Sequence, residues 1–347
     1  MDELNVGVVG LGRLGKKYAE VLQWSIKNIN LIAVCSINAE ELSYARNTLK
    51  VPYVYNNLDD FLAHKKMDAV FIVSSTNLHA EHIITSLEAG FHVFCEKPLA
   101  ITLDECLRVE KVANQYPDQI ATVGFVRRHD PGYAYAMKKV KQGLIGKPFL
   151  VKSQTVDLDS TAGFQMEFVK TSGGMFHDFN VHDIDLARWF LEDEVKTVYS
   201  VGGAFKHPGF AEVNDADNVI STCVFQNGSM ASIQASRTAA NGHDTYTEVV
   251  GTDGLLRIGR PNVVTNVEIH DKYGARKECV KTFYERFEEA FHNQIKDFAN
   301  CVMHGTKPST CLRDATQATR AAIAMTSSLF GGNGLVVLDD LEECNLK

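Results

Sequence analysis

A glycine-rich turn near the start of the chain constrains the fold more than any other feature. The stretch Gly10-Leu11-Gly12-Arg13-Leu14-Gly15 has GxGxxG spacing, follows the apolar segment Asn5–Val9 and opens a helical pattern that runs to Leu22. In this context the first glycine permits a tight turn, the second lets a pyrophosphate approach the backbone, and the third allows close helix packing. Free amides at the helix start favour negative phosphates. The motif therefore predicts a dinucleotide site that includes Gly10, Gly12, Arg13 and Leu14.

Short apolar strands alternate with amphipathic helices through the first third of the chain. Strand patterns recur at Leu31–Cys35, Asp68–Ser74, His92–Cys95 and Ile120–Gly124, with helical sequence between them. Such alternation is typical of a parallel sheet covered by helices on both faces. The sequence predicts an α/β fold whose N-terminal domain, residues 1–124, is a doubly wound Rossmann sheet.

The character of the sequence changes near Gly124. Val219–Phe225 and Met230–Ala235 flank Asn227-Gly228, a strong signal for a two-residue hairpin, and a second hairpin is predicted around residues 251–254. Apolar residues at helical spacing predict one long helix from residue 283 and another from about residue 312. We expect residues 125–347 to form a C-terminal α+β domain on a mainly antiparallel sheet, for substrate binding and oligomerisation.

Composition argues against several classes of protein. The 347 residues carry a formal net charge of -8, which disfavours binding to nucleic acid. The eight cysteines show no CxxC pair, which favours reduced thiols. No apolar run reaches the roughly 20 residues of a membrane helix, and a strand pattern begins too early to leave room for a signal peptide. We expect a soluble, cytoplasmic protein with no membrane or nucleic-acid partner.

The end of the second predicted strand bears on the choice of cofactor. NAD-preferring sites usually carry an acidic residue there, which hydrogen-bonds the ribose hydroxyls and repels a 2′-phosphate. Ser36 occupies that place, and Arg13 in the glycine turn is an alternative contact for a phosphate or an ordinary surface residue. The sequence predicts NAD as cofactor and leaves NADP open.

Two polar clusters are candidates for catalysis. Lys97, held by the following Pro98, comes just after a predicted strand, and ligands bind at the carboxyl ends of parallel strands. In a helix, Asp178 and His182 would form an i, i+4 pair, with Asp185 three residues further on. A histidine oriented by carboxylates can take the proton of a hydroxyl while the carbon loses hydride.

Metal binding is the rival use of histidine and aspartate in the second cluster. His177 and His182 are five residues apart, which places them roughly 140° apart around a helix. They cannot easily share one ion, and the chain has no HExxH motif. We therefore predict no metal site.

At these residues the chain resembles the Gfo/Idh/MocA family of oxidoreductases. The resemblance spans nearly the whole sequence, with Glu-Lys-Pro and Asp-x-x-x-His as its more specific motifs. The pattern around Arg127, Asp130 and Tyr133 is similar to that of the family's inositol enzymes. The matching stretches are Gly10–Gly15, Ser75–His79, Glu96–Pro98, Val123–Arg128, Gly173–Trp189, Ser236–Asp244 and the hairpin that begins at Glu248.

The resemblance implies the chemistry and the residues of the site. The reaction would be hydride transfer from a secondary hydroxyl of myo-inositol to NAD(P)+, giving an inosose, within inositol catabolism. The catalytic set would be Lys97, Asp178 and His182, with the histidine as base and the lysine on the reacting oxygen. Ser36, Ser75, Asn77, His79, Glu96 and Lys97 would join the glycine turn in binding cofactor. Substrate would contact Lys97, Arg127, Asp157, Asp178, His182 and His243, and the chain would form a homotetramer or dimer.

Alternatives remain at the level of substrate and role. His243 stands where the inositol enzymes of the family are expected to carry tyrosine, so scyllo-inositol, glucose or a glucoside is an alternative substrate. Arg127 is alternatively a surface residue in a salt bridge, and Asp157 an ordinary loop acid. A cofactor-binding regulator without turnover is the alternative from another class, and intact Lys97, Asp178 and His182 disfavour it.

Overall fold

The structure, a computed structural model, describes residues 3–259, 263–265, 267–332 and 334–340. Contacts between Cα atoms divide the chain into two compact units. Unit 1 runs through Val126 and includes Phe291–Thr319, whereas unit 2 comprises Arg127–Ala290 and the chain from Arg320 onward. The sequence places a single boundary after residue 124, so it does not foresee the return of residues 291–319 to unit 1.

Unit 1 is built on a six-stranded sheet in which every strand pair is parallel. The strand order, β3-β2-β1-β4-β5-β6, reverses direction between β1 and β4 and confirms the predicted doubly wound fold. The strands are β1 (Leu4–Val9), β2 (Ile29–Cys35), β3 (Tyr53–Tyr55), β4 (Ala69–Ile72), β5 (His92–Cys95) and β6 (Ala121–Val123). The helices are α1 (Arg13–Trp24), α2 (Ala39–Asn47), α3 (Leu58–Leu62), α4 (His79–Glu88) and α5 (Leu103–Ala113).

An aromatic cluster explains why a late part of the chain belongs to unit 1. Phe71 of β4 and Phe94 of β5 are fully buried, with ring centroids 5.1 Å apart. Phe298, from the helix α10 (Phe283–His304), lies 5.3 Å from Phe71, and Phe291 of the same helix lies 5.8 Å from Tyr18. Burial of such large rings is a strong stabilising term, so these residues attach the second half of α10 to the parallel sheet.

Unit 2 contains a seven-stranded mixed sheet of order β12-β11-β7-β10-β9-β8-β15. All neighbours are antiparallel except β7 and β10, which confirms a mainly antiparallel sheet and adds one parallel pair. Its strands are β7 (Pro148–Leu158), β8 (Val195–Gly203), β9 (Asn218–Phe225), β10 (Met230–Ala239), β11 (Asp244–Gly251), β12 (Gly254–Ile258) and β15 (Val336–Val337). The other elements are α6 (Pro131–Lys141), α7 (Ala162–Ser172), α8 (Val181–Leu191), α9 (Gly209–Glu212), the β13 (Ile269–Asp271)–β14 (Gly274–Arg276) ribbon, and α11 (Leu312–Phe330), which begins in unit 1.

The two predicted hairpins are present in the sheet of unit 2. Val224 of β9 pairs with Met230 of β10 across the turn at Gly228, whose φ is +85°. β11 and β12 pair antiparallel across residues 251–254. No helix within the described ranges is long and apolar enough to cross a membrane.

Candidate active site

Two glycines of the turn after β1 are required by the protein's own packing. Gly10 has a φ of +91°, and a Cβ added there would lie 2.6 Å from the carbonyl oxygen of Val73. A Cβ on Gly15 would lie 2.1 Å from the carbonyl oxygen of Gly10. Side chains at these positions would collide with backbone, so the two glycines let α1 start tightly against β1.

Gly12 differs from Gly10 and Gly15 because a Cβ there would meet no atom of the described residues within 4 Å. It is the N-cap of α1, which has no side-chain cap and no acidic residue in its first turn. The protein therefore leaves open space beside helix amides that can donate to an anion. A dinucleotide pyrophosphate fits this space and charge, next to the exposed Arg13 and the half-buried Leu14.

The same sheet edge carries the other predicted cofactor residues of unit 1. Ser75 and Asn77 are exposed just beyond β4. His79 is 2% exposed, and its ring nitrogens lie 2.8 Å from the Pro98 carbonyl oxygen and 3.1 Å from that of Ser74. Burial lowers the pKa of His79, so the ring is neutral and donates to one of these oxygens. His79 thus links the loop after β4 to the loop after β5, whereas Ser75 and Asn77 are open to a ligand.

Lys97 stands out in its loop by its accessibility. Every residue from Val93 to Ala100 is buried except Lys97, which is partly exposed. Glu96 points instead into the interior of unit 1, where it accepts hydrogen bonds from the Tyr18 hydroxyl and, at 3.0 Å, from the Lys97 backbone amide. Burial raises the pKa of the Glu96 carboxyl. Glu96 therefore stabilises the loop, and Lys97 presents the ammonium.

Ser36 lies just past the end of β2, as predicted, and is 6% exposed. Its backbone amide still donates to the Tyr55 carbonyl of β3 at 3.1 Å. Its hydroxyl donates to Oε2 of Glu41, on α2, at 2.5 Å. Glu41 is not among the residues predicted from the sequence, although its place in the first turn of the helix after the strand is a signal that identifies it.

In unit 2, Asp178 and His182 share the pattern seen at Lys97. Every residue from Met175 to Arg188 is buried except these two, which are partly exposed. The segment is helical, but Phe176–Asn180 forms a turn of π-helix that leads into α8. The two side chains therefore straddle a π-to-α junction rather than one regular α-helical face, and such junctions are frequent at functional sites.

Neighbouring charges of this segment serve the interior of unit 2. Asp183 is fully buried and accepts from Arg127 at 2.8 Å and from Ser153 at 2.6 Å. Asp185 accepts two bonds from Arg128, at 2.9 and 2.5 Å. Asp185 thus orients an arginine. Arg127, predicted to contact substrate, is 3% exposed and engaged in its ion pair.

Two further predicted substrate residues are in direct contact at the β7–β11 edge. Asp157, at the end of β7, lies 2.6 Å from Nδ1 of His243, and its other oxygen accepts from Gln165 at 3.1 Å. His243 is 3% exposed, and its Nε2 has no hydrogen-bond partner among the described residues. The Phe287 ring contacts both His243, at 6.4 Å between centroids, and the Arg127 guanidinium, at 5.7 Å. Gln165 is a member of this group that the sequence did not single out.

The described parts of the chain contain no group of three or more His, Cys, Asp or Glu side chains placed to hold a metal ion. The glycine turn, the parallel sheet and the accessible lysine at its carboxyl edge are typical of an oxidoreductase with a dinucleotide-binding domain. Residues 4–125 match the family model described as oxidoreductase family, NAD-binding Rossmann fold, and residues 133–257 match the GFO/IDH/MocA C-terminal domain. The protein belongs to the Gfo/Idh/MocA family, as its motifs predicted.

Relatives of similar length extend over almost the whole chain. A scyllo-inositol 2-dehydrogenase (NAD(+)) of Bacillus subtilis is 33% identical over 95% of both chains. A myo-inositol 2-dehydrogenase of Thermotoga maritima is 31% identical over 94% of this chain and 96% of its own. The crystal structure of scyllo-inositol dehydrogenase from Lactobacillus casei with NAD(H) and scyllo-inositol superimposes with a TM-score of 0.94, at 32% identity, over 97% of this chain and 99% of that one.

Proposed function

We propose that this protein oxidises a secondary hydroxyl of an inositol ring and transfers the hydride to NAD+, giving an inosose. The observation that carries the proposal is the selective accessibility of Lys97, Asp178 and His182, each set among buried neighbours. A soluble polar substrate can reach these three side chains and not the charges beside them. The relatives named above are all named for an inositol, and two of the three also for NAD, which supports the same assignment.

The chemistry assigns a separate task to each residue. Bound NAD+ supplies the hydride acceptor. His182 accepts the hydroxyl proton as the C–H bond of the same carbon breaks, so that one hydride and one proton leave the alcohol. Asp178 orients the imidazole and stabilises its protonated form. The Lys97 ammonium binds the reacting oxygen and lowers the free energy of its developing negative charge.

We assign recognition of the other ring hydroxyls to Asp157 and His243. Arg127 contacts the same Phe287 ring as His243 and completes this group. Asp157 offers carboxylate oxygens at a half-exposed site and fixes the His243 ring through Nδ1. The remaining nitrogen, Nε2, is buried and has no hydrogen-bond partner among the described residues, so it suits a substrate hydroxyl. Among the relatives, scyllo- and myo-inositol enzymes are almost equally similar, at 33% and 31% identity, so both isomers are candidate substrates.

A substrate panel tests the proposal. Myo-inositol, scyllo-inositol and glucose are each incubated with NAD+ or NADP+, and reduction is followed by nicotinamide absorbance. We expect reduction of NAD+ with at least one inositol, at a higher kcat/KM than with glucose. Absence of turnover with both inositols would refute the inositol assignment, and faster turnover of glucose would favour a sugar dehydrogenase.

Lys97→Ala provides the matched test of mechanism. We expect NADH still to bind and kcat to fall about 100-fold or more, because an electrostatic contact to the reacting oxygen is lost. Lys66→Ala, which removes an exposed lysine of the same unit, should change neither quantity. Wild-type turnover by Lys97→Ala would remove the lysine from the mechanism.

We also propose that the protein is a homo-oligomer formed through the open face of the sheet in unit 2. Five partly exposed apolar side chains lie on three adjacent strands of that sheet: Tyr199, Val201, Ile220, Val224 and Met230. The strand register places Val201 opposite Ile220, and Val224 opposite Met230, so they share one face. An apolar face of this kind is typical of an interface.

A further inference from the structure

The end of β2 has no acidic residue of its own, but a carboxylate from the following helix contacts it. Ser36 occupies the position where an acid would bind the ribose hydroxyls. Its hydroxyl has one proton, which it donates to Oε2 of Glu41 at 2.5 Å. Glu41 thereby brings a negative charge to the strand end.

The turn between β2 and α2 explains why Glu41 points back toward the strand. Asn38 caps α2, and its side-chain oxygen accepts from the amides of Glu40 at 2.8 Å and Glu41 at 3.4 Å. The Asn38 backbone amide donates to the Ser36 hydroxyl oxygen at 3.1 Å, and this bond closes the turn between β2 and α2. Glu41 is half-buried against the strand end, whereas Glu40 is exposed. Both carboxylates lie in the first turn of α2, close to the positive end of the helix dipole.

We propose that Glu41 is the residue that binds the adenosine ribose and selects NAD over NADP, with Ser36 as its positioning residue. No donor among the described residues reaches Oε1 of Glu41, so this oxygen is available to a ribose hydroxyl. A 2′-phosphate at the same place would bring two negative charges together. The proposal deepens the proposed function, because it rests on binding of the dinucleotide at the glycine turn.

Arg13 sets the opposing expectation. It is exposed at the first position of α1, and a guanidinium there could bind a 2′-phosphate. The Ser36–Glu41 contact decides between the two, since a carboxylate fixed at the strand end repels the phosphate that the arginine would attract. Glu41 therefore outweighs Arg13 in our assignment.

Direct binding measurements test the role of Glu41 without any turnover. Dissociation constants of NADH, NADPH, ADP-ribose and 2′-phospho-ADP-ribose are measured by calorimetry for wild type, Glu41→Gln, Glu40→Gln and Ser36→Ala. We expect wild type to bind NADH more tightly than NADPH, and ADP-ribose more tightly than its 2′-phospho form. Glu41→Gln should weaken NADH binding about 10- to 100-fold, the effect of losing a hydrogen bond to a charged group. It should also lower the preference for NADH, defined as the Kd of NADPH divided by the Kd of NADH.

Glu40→Gln is the matched control, because it removes the same charge from the same helix turn. It should leave both dissociation constants within about twofold, since exposed charges act weakly at a distance. Ser36→Ala should also lower the preference for NADH, as Glu41→Gln does. The double variant Ser36→Ala/Glu41→Gln should have nearly the same preference as Glu41→Gln alone, because the two residues act through one contact.

Two results would overturn the inference. One is an equal preference for NADH over NADPH in Glu41→Gln and Glu40→Gln, and the other is a wild type that binds NADPH as tightly as NADH. The assay needs no polyol, so its outcome is separate from that of the substrate panel. A chain whose Glu41 discriminates between the cofactors but that oxidises no inositol would refute only the proposed reaction.

Discussion

Charged side chains of unit 2 that are adjacent in sequence have opposite environments. Asp178 and His182 are partly exposed, whereas Asp183 is buried in an ion pair with Arg127. A buried charge is tolerated only when it is paired and hydrogen-bonded, which makes Asp183 part of the fold. Asp178 is instead partly exposed, and we expect it to serve the reaction rather than the fold.

The same substitution at these two aspartates should therefore have opposite effects. Asp178→Asn should lower kcat by about 100-fold or more, with an unfolding midpoint near that of wild type, because orientation of the base is lost. Asp183→Asn should lower the free energy of unfolding by about 3 kcal/mol, because Arg127 keeps a buried charge with no anionic partner. Thermal unfolding and steady-state kinetics on both variants separate the two roles. If Asp178→Asn were the less stable and more active variant, the assignments would be reversed.

The sequence could name the catalytic candidates but not sort the charges around them. Asp178, Asp183 and Asp185 are equivalent in a linear pattern, and Arg127 was predicted to bind substrate from the family resemblance and its place after a strand end. Their partners come from β7 and from residues more than fifty positions away, which no local pattern specifies. Whether Arg127 also contacts substrate stays a prediction, as do the other site assignments.

The turn between β1 and α1 separates structural from functional glycines. Gly10 and Gly15 are required by nearby backbone atoms, whereas a Cβ at Gly12 would meet open space. Because packing within the described residues does not require glycine at position 12, we expect that a bound ligand does. Substitutions at Gly15 and Gly12 can therefore be compared within one turn, the first testing packing and the second testing ligand binding.

We expect Gly12→Ala to fold with an unfolding midpoint within a few degrees of wild type and to bind NADH at least about 10-fold more weakly, because a methyl group fills the space for the pyrophosphate. Gly15→Ala should instead be strongly destabilised, because its methyl group would lie 2.1 Å from the Gly10 carbonyl oxygen. Circular dichroism melts and calorimetric titration with NADH give both quantities. Normal NADH affinity in a well-folded Gly12→Ala would remove the pyrophosphate from this turn.

Elements with local signals were predicted well, and those fixed at long range were not. The strand alternation, the hairpin at Asn227-Gly228 and the long helix α10 follow from short patterns, and the structure confirms them. The parallel pairing of β7 with β10 joins strands distant in sequence, and packing rather than pattern sets it. The π-helical turn before α8 was missed because apolar spacing alone does not distinguish one wide turn from an α-helical one.

At the scale of the whole molecule, the open face of the unit 2 sheet combines apolar and charged parts. Beside the apolar group, Glu248 of β11 lies in register with Lys152 of β7 and Arg257 of β12, at 2.9 and 2.8 Å. Hydrogen bonds from Arg257 and Lys152 lower the pKa of Glu248 to about 2, so it stays ionised at neutral pH. A face that carries both signs beside an apolar patch can be complementary to a second copy of itself, as a twofold interface requires.

Ile220 is the most exposed of the five apolar side chains, at 51%, and its replacement tests self-association. Wild type should sediment as a dimer or tetramer, and Ile220→Glu should raise the dissociation constant about 100-fold or more, because a twofold interface would bury the added charge twice. Leu144→Glu adds the same charge at a 59% exposed apolar residue between α6 and β7, outside the sheet, and should leave the mass unchanged. Analytical ultracentrifugation over a range of concentrations distinguishes the variants. A monomeric wild type would exclude self-association, and an Ile220→Glu variant as oligomeric as wild type would move the interface to another surface, because a carboxylate cannot be buried unpaired in an apolar contact at no cost in free energy.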